Sequence, residues 1–275
     1  CAKRECRGKP AMKTYRIGVI GLGQRIAHVL AAMKEVGWRL EVAAYVDPGP
    51  VGAPILAEAG IPLGREYPSP GALLHDGPYD LVMIGTPNHL HMRHLGLAMA
   101  AGYPIFAEKP IVRTVEETYA LARALAEPGH PPLFIGLVMR SMPIVREVIK
   151  RVDSGALGEI ISIDATEHLP VEHGAYLARN WRRKIEWGGS YLLDKVCHDF
   201  DIFGRIAGAR PSKVASFGGR RVFTSERTGA AIAATIARRS ANSRKVDAAS
   251  SGAPQPASDT QCTARSMHSW MARKR

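Results

Sequence analysis

An apolar run, Tyr15–Ile20, ends in Gly21-Leu22-Gly23 and passes at once into a helical pattern from Gln24 to Val36, with Ile26, Ala27, Leu30, Met33 and Val36 on or near one face. A strand that turns on two glycines into a helix commits the chain to a crossover, and the pattern then repeats. Leu40–Val46 reads as a second strand ending at Asp47-Pro48, followed by a loop and short helix over about 51–59. Asp80–Ile84 reads as a buried strand followed by Thr86-Pro87-Asn88 and a helix to Ala101. Pro104–Ala107 is a strand ending at Glu108-Lys109-Pro110. Thr114 caps a helix to Ala126, with Glu117 completing a capping box, and Leu133–Val138 is a further strand. Strands alternating with helices imply right-handed crossovers, so the expected fold class is α/β with a doubly wound parallel sheet over residues 14–140.

After Arg140 the rhythm changes. Pro143–Val152 reads as a helix ended by Ser154-Gly155, and Glu159–Glu167 alternates as a strand. A loop rich in Trp, Arg and Gly covers His168–Gly189. A helix from about Ser190 to Ala207 carries Asp194, His198 and Asp201, and Lys213–Phe217 begins another strand. Residues 141–223 therefore read as a partial α+β domain. Residues 224–275 are rich in Ala, Ser and Arg with little periodicity, and they bury too little apolar area to offset the entropy of ordering; a basic, low-order tail is expected. Residues 1–13 read as a disordered leader, with Met12 as the natural start.

The net charge of +12 lies wholly in residues 1–13 and 220–275, because residues 14–219 carry as many acidic as basic side chains. A groove for a phosphate backbone draws its charge from the folded body, so no specific nucleic-acid partner is expected. No run reaches the roughly 18 apolar residues of a membrane span, and no secretory signal is readable. The four cysteines, Cys1, Cys6, Cys197 and Cys262, are scattered and suggest neither a disulfide framework nor a zinc site, which makes a reducing cytoplasm the default.

The motifs carry the chemistry. In a strand–loop–helix, Gly21 allows the tight turn and Gly23 lets backbone approach a pyrophosphate, which the amides from Gln24 onward can hold. Position 26, usually small in this fingerprint, is Ile26. Asp47 ends the second strand where a carboxylate takes the ribose hydroxyls, and no Arg or Lys follows closely, so NAD is favoured over NADP. Thr86, Pro87, Asn88 and His91 follow a strand at the carboxyl edge of the sheet, where ligands bind. His89, His91 and His94 do not share one helical face, so no metal is expected. Lys109, beside Glu108, ends a strand; alone it reads as a surface lysine, but it can also point into the crevice and steady a developing alkoxide. Asp194 and His198 are four apart and share a helix face, with Asp201 three further on. An imidazole suits removal of a hydroxyl proton near neutral pH, and a carboxylate can orient it. Gly188-Gly189 supplies a close-approach turn into that helix.

Together Gly21-Leu22-Gly23, Asp47, Thr86-Pro87-Asn88 with His91, Glu108-Lys109-Pro110, Asp153-Ser154-Gly155-Ala156-Leu157-Gly158-Glu159, and Gly188-Gly189 leading to Asp194 and His198 make residues 15–217 resemble the Gfo/Idh/MocA family of nicotinamide-dependent oxidoreductases. The resemblance implies a Rossmann domain followed by a substrate domain, here partial. It also implies NAD as cofactor, held by Gly21, Gly23, Gln24, Asp47, Thr86, Pro87, Asn88, His91, Glu108 and Lys109. Lys109, Asp194 and His198 would be catalytic, and a sugar, inositol or related polyol would be the substrate. Trp181, Arg182, His198 and Asp201 are candidates for touching that substrate; Trp181 and Arg182 read equally well as a solvated loop with one packed tryptophan. Family members continue through a large, mostly antiparallel sheet, whereas family-like sequence stops here near Phe223. An incomplete substrate domain prone to aggregate is therefore expected, and the family's homo-oligomer is in doubt. A catalytically silent NAD-binding module, or a fragment of such an enzyme, is the alternative.

Overall fold

The computed structural model describes residues 13–169, 180–219 and 259–272. Six strands, β1 (Tyr15–Ile20), β2 (Leu40–Val46), β3 (Leu63–Glu66), β4 (Leu81–Ile84), β5 (Ile105–Ala107) and β6 (Leu133–Ile135), form one parallel sheet in the order β3-β2-β1-β4-β5-β6. That is the doubly wound Rossmann order, with the direction of winding reversing between β1 and β4. β1 and β4 are almost wholly apolar and buried, as strands covered on both faces must be.

Right-handed crossovers place α1 (Gln24–Glu35) and α2 (Ala53–Glu58) on one face and α3 (Pro70–His75), α4 (His91–Ala100) and α5 (Val115–Ala126) on the other. The capping box expected at Thr114 and Glu117 is present. β3 and α3 escaped the sequence reading. All four β3 residues are exposed, so the strand has no alternation to read; it exists because the edge of β2 pairs with it.

Beyond the sheet, a 3₁₀ turn at Val138–Ser141 leads to α6 (Pro143–Asp153), then, after residues 170–179, to a short 3₁₀ turn (Asn180–Arg183) and α7 (Ile185–Gly188). The helix expected from Ser190 is present, opening as a π turn over Leu192–Val196 that runs directly into α8 (Cys197–Ala207). Two expected strands are corrected. Residues 159–167 and 213–217 are irregular, and Ile161 is exposed; alternation makes a strand only where a neighbour supplies hydrogen bonds, and none among the described residues does.

The composition of residues 224–275 predicted little order, yet Asp259–Ala272 forms α9. Its position follows from topology. The face bearing α1 and α2 has no crossover helix above β4, β5 and β6, which leaves Met83, Phe106 and Phe134 to be covered. α9 lies there beside α1, with Cys262, Ala264 and Met267 buried and Trp270 edge-on to Phe134 at 5.7 Å.

Candidate functional site

The site is built at the carboxyl edge of the sheet, around the switch point between β1 and β4. Gly21 has φ +87°, and a Cβ there would meet the Thr86 amide nitrogen at 2.6 Å, so the turn after β1 and the turn after β4 touch only because position 21 has no side chain. Gly23 precedes α1 with no side-chain cap and no acidic residue in the first turn. Its Cβ direction is open, the nearest atom being the Gly85 carbonyl oxygen at 4.0 Å. Uncapped helix amides beside open space form a cradle for an anion. Gln24 is exposed at the start of α1. Asp47 follows β2, with Oδ1 accepting from the Gly49 amide at 2.8 Å.

The Ile26 departure is accommodated by Gly85. A Cβ on Gly85 would collide with Cγ1 of Ile26, so the bulk lost on one side of the contact admits the bulk gained on the other.

Lys109 and Asp194 come together, and His198 lies close enough to feel the Lys109 charge. The Lys109 ammonium donates to the Asp194 carbonyl oxygen at 2.7 Å and lies 3.6 Å from its Oδ2. His198 opens the second turn beyond it, 7% exposed, its Nδ1 buried with no hydrogen-bond partner among the described residues. Burial first, then the charges of Lys109, Lys195 and Arg25, pull the His198 pKa down to about 4, so the ring is neutral at pH 7. Burial also pushes the Cys197 thiol up, and Sγ contacts the Asp194 carbonyl at 3.6 Å, which is no environment for a nucleophile.

Other expected site residues are placed differently. His91 is fully buried, with Nδ1 and Nε2 each 2.8 Å from a carbonyl oxygen, of Pro110 and Thr86 respectively. Both ring nitrogens face the chain itself, so His91 ties two loops together instead of facing a cofactor. Glu108 is also turned inward, to Nε of Arg25 at 3.2 Å, and burial raises its pKa despite that cation. Asp201 pairs with Arg140, Nε donating to Oδ2 at 2.8 Å. The Thr86 hydroxyl is 3.1 Å from His94 Nδ1, and Pro87 follows it. The Asn88 amide donates to the Gly188 carbonyl at 2.7 Å. Trp181 and Arg182 lie on the short turn before α7, the guanidinium 4.3 Å from the indole centroid, so they pack on each other. No described group of His, Cys, Asp or Glu is arranged to hold a metal.

Arg25 and Lys195 escaped the sequence reading. Arg25 sits in the first turn of α1, where the helix dipole disfavours a cation; that mismatch was the available signal that it needs an acidic partner. Its other nitrogen reaches Thr260 Oγ1 on α9 at 3.2 Å. Lys195 is buried and pairs with Glu167 at 2.6 Å and Asp199 at 3.8 Å.

Comparisons with known proteins place most of the chain in one family. A model described as the oxidoreductase family with NAD-binding Rossmann fold, Gfo/Idh/MocA, matches residues 15–136, and one for the Gfo/Idh/MocA C-terminal domain matches residues 145–264. The rhizopine catabolism protein MocA of Rhizobium meliloti is 30% identical over 218 residues, 79% of this chain and 63% of that protein. An inositol 2-dehydrogenase of Corynebacterium glutamicum is 24% identical over 72% of this chain and 56% of its own length. The WlbA dehydrogenase of Bordetella pertussis, solved with NADH and UDP-GlcNAcA, superposes with a TM-score of 0.58 at 25% identity, covering 70% of this chain and 55% of that one. The chain thus spans between half and two thirds of the length of these three proteins.

Proposed function

Because this chain belongs to the Gfo/Idh/MocA family of oxidoreductases, we propose that it is an NAD-dependent dehydrogenase acting on a hydroxyl of a sugar, inositol or related polyol. The observation that carries the reading is the contact of Lys109 with Asp194, from two parts of the chain, at the carboxyl edge of the sheet, with His198 four residues further along the same helix. The residues present fit a dinucleotide: the uncapped start of α1 faces open space beside Gly23, and Asp47 stands at the end of β2 where a ribose would be held. The cofactor, when bound, supplies the hydride acceptor.

The chain's own residues do the rest. His198, neutral above about pH 4, accepts the hydroxyl proton. The Lys109 ammonium donates to the same oxygen and stabilises it as it becomes an alkoxide. Asp194, on the turn before α8, fixes that ammonium. The inositol dehydrogenases and MocA among the relatives support a polyol substrate. The free thiols of Cys197 and Cys262 accord with a reducing, cytoplasmic setting.

Calorimetric titration with NAD and NADP, followed by turnover over a polyol panel, tests the proposal. We expect NAD to bind more tightly. Lys109→Met and His198→Gln should each lower kcat by roughly 100-fold or more while leaving the NAD dissociation constant nearly unchanged. Unchanged turnover in both variants removes the assignment. NAD binding without turnover of any polyol would leave a nucleotide-binding module.

A further inference from the structure

Asn88 lies in the turn after β4, a position that in a Rossmann sheet faces the cofactor, yet its side chain is spent elsewhere. It is buried, and its amide nitrogen donates to the Gly188 carbonyl at 2.7 Å and lies 3.5 Å from Asp194 Oδ1. The Gly188-Gly189 turn it grips has no slack. A Cβ on Gly188 would meet the Arg182 carbonyl oxygen at 2.8 Å, and Gly189 has φ +81°. The neighbouring side chains close the same joint: the His89 ring stacks on Trp187 with centroids 5.2 Å apart, and the Arg113 guanidinium donates to the Glu186 carbonyl. The turn leads directly through Ser190, whose hydroxyl accepts from the Leu193 amide at 3.1 Å, into Asp194 and His198. Asp194 is thereby held from two sides, by Asn88 and by Lys109, both at the edge of the nucleotide-binding sheet.

We infer that Asn88 is a positioning residue: through the Gly188 carbonyl and Asp194 it sets the second half of the site against Lys109, and it is not a cofactor ligand. The inference rests on the proposed dehydrogenase reading for its catalytic consequence, but not for its structural one. A carbonyl that loses its buried donor costs the full desolvation penalty, so the turn relaxes outward when Asn88 is truncated. His198 then gains water and moves away from Lys109.

The test uses the full chain with Asn88→Ala and the near-isosteric Asn88→Asp, which keeps the volume and loses the donor. In each we expect an NAD dissociation constant within about two-fold of the parent and kcat lower by about ten-fold or more. The His198 ring, followed by NMR, should titrate with its midpoint moved up from about 4 toward the ordinary value. A loss of NAD affinity of about ten-fold or more in a folded variant overturns the inference, because Asn88 would then be a cofactor ligand. An unmoved His198 midpoint also overturns it, as does an Asn88→Asp protein that behaves like the parent. If Asn88→Ala does not fold, Asn88→Asp decides alone. If the parent itself binds no NAD, the dehydrogenase reading fails, and the His198 titration still decides whether Asn88 sets the site.

Discussion

Gly85 and Ile26 show how one side chain is admitted by the absence of another. Ile26 is buried under the glycine turn at a position where a small residue would normally let α1 approach the sheet. Gly85, after β4, leaves the room it needs. Gly85→Ala should therefore cost about 1–3 kcal/mol by overpacking. Ile26→Ala should cost about 2–5 kcal/mol by leaving a cavity. The double variant should be less destabilised than the sum of the two, because removing the isoleucine vacates the space the new methyl needs. Urea unfolding of the four proteins measures the coupling; strict additivity would mean the two residues do not share that space. The remaining strain in the double variant comes from the Gly21 carbonyl, 2.9 Å from the added carbon, which no side-chain change relieves.

At the scale of elements, α9 departs most from what its own sequence suggests. Composition argues against a stable isolated helix there, and a helix of this length is marginal without packing. It forms against the uncovered half of one sheet face, where Met267 and Ala264 are fully buried among the residues of α1 and β5. Polar ties flank that contact: Gln261 donates to Glu35 at 2.6 Å, and the Ser266 and Ser141 hydroxyls are 3.0 Å apart. Met267→Ala should destabilise the protein by about 2–5 kcal/mol, as for any large core truncation. An unchanged urea midpoint would show that α9 contributes nothing to the core. Arg25, which reaches both Glu108 and Thr260, connects this helix to the edge of the site.

For the molecule as a whole, three buried histidines, His91, His94 and His198, are pushed toward neutrality by burial and make stability depend on acid. His198 is held at about 4, and so is His94, by burial first and then by Arg93, His91 and His89. Both are depressed from 6.5, so between those values the unfolded chain binds more protons than the folded one. Their stabilisation is fully present above pH 6.5 and is lost as pH falls toward 4, by up to about 3 kcal/mol for each ring. Urea midpoints should therefore be flat from pH 7 to 8 and fall between pH 6.5 and 4. His94→Gln and His198→Gln should each flatten part of that fall. A profile with no dependence in this window would show that none of the three rings is held neutral by the fold.

The sequence by itself determined the doubly wound parallel sheet, because the alternation of strand and helix patterns leaves few ways to cover both faces of the strands. It also put Lys109 at the carboxyl edge of that sheet and Asp194 and His198 on one helix face, while only the family resemblance joined the three into one candidate site. Only the tertiary structure decided what the polar side chains at that edge do. Asn88 takes Gly188, Glu108 takes Arg25, Asp201 takes Arg140 and His91 takes two carbonyls; most of these partners lie far away in the sequence, where no local period reports them. The same reason hid β3 and α9: an edge strand exposed at every residue and a weakly patterned helix have little local signal, and each is made stable by the surface another part of the chain presents to it.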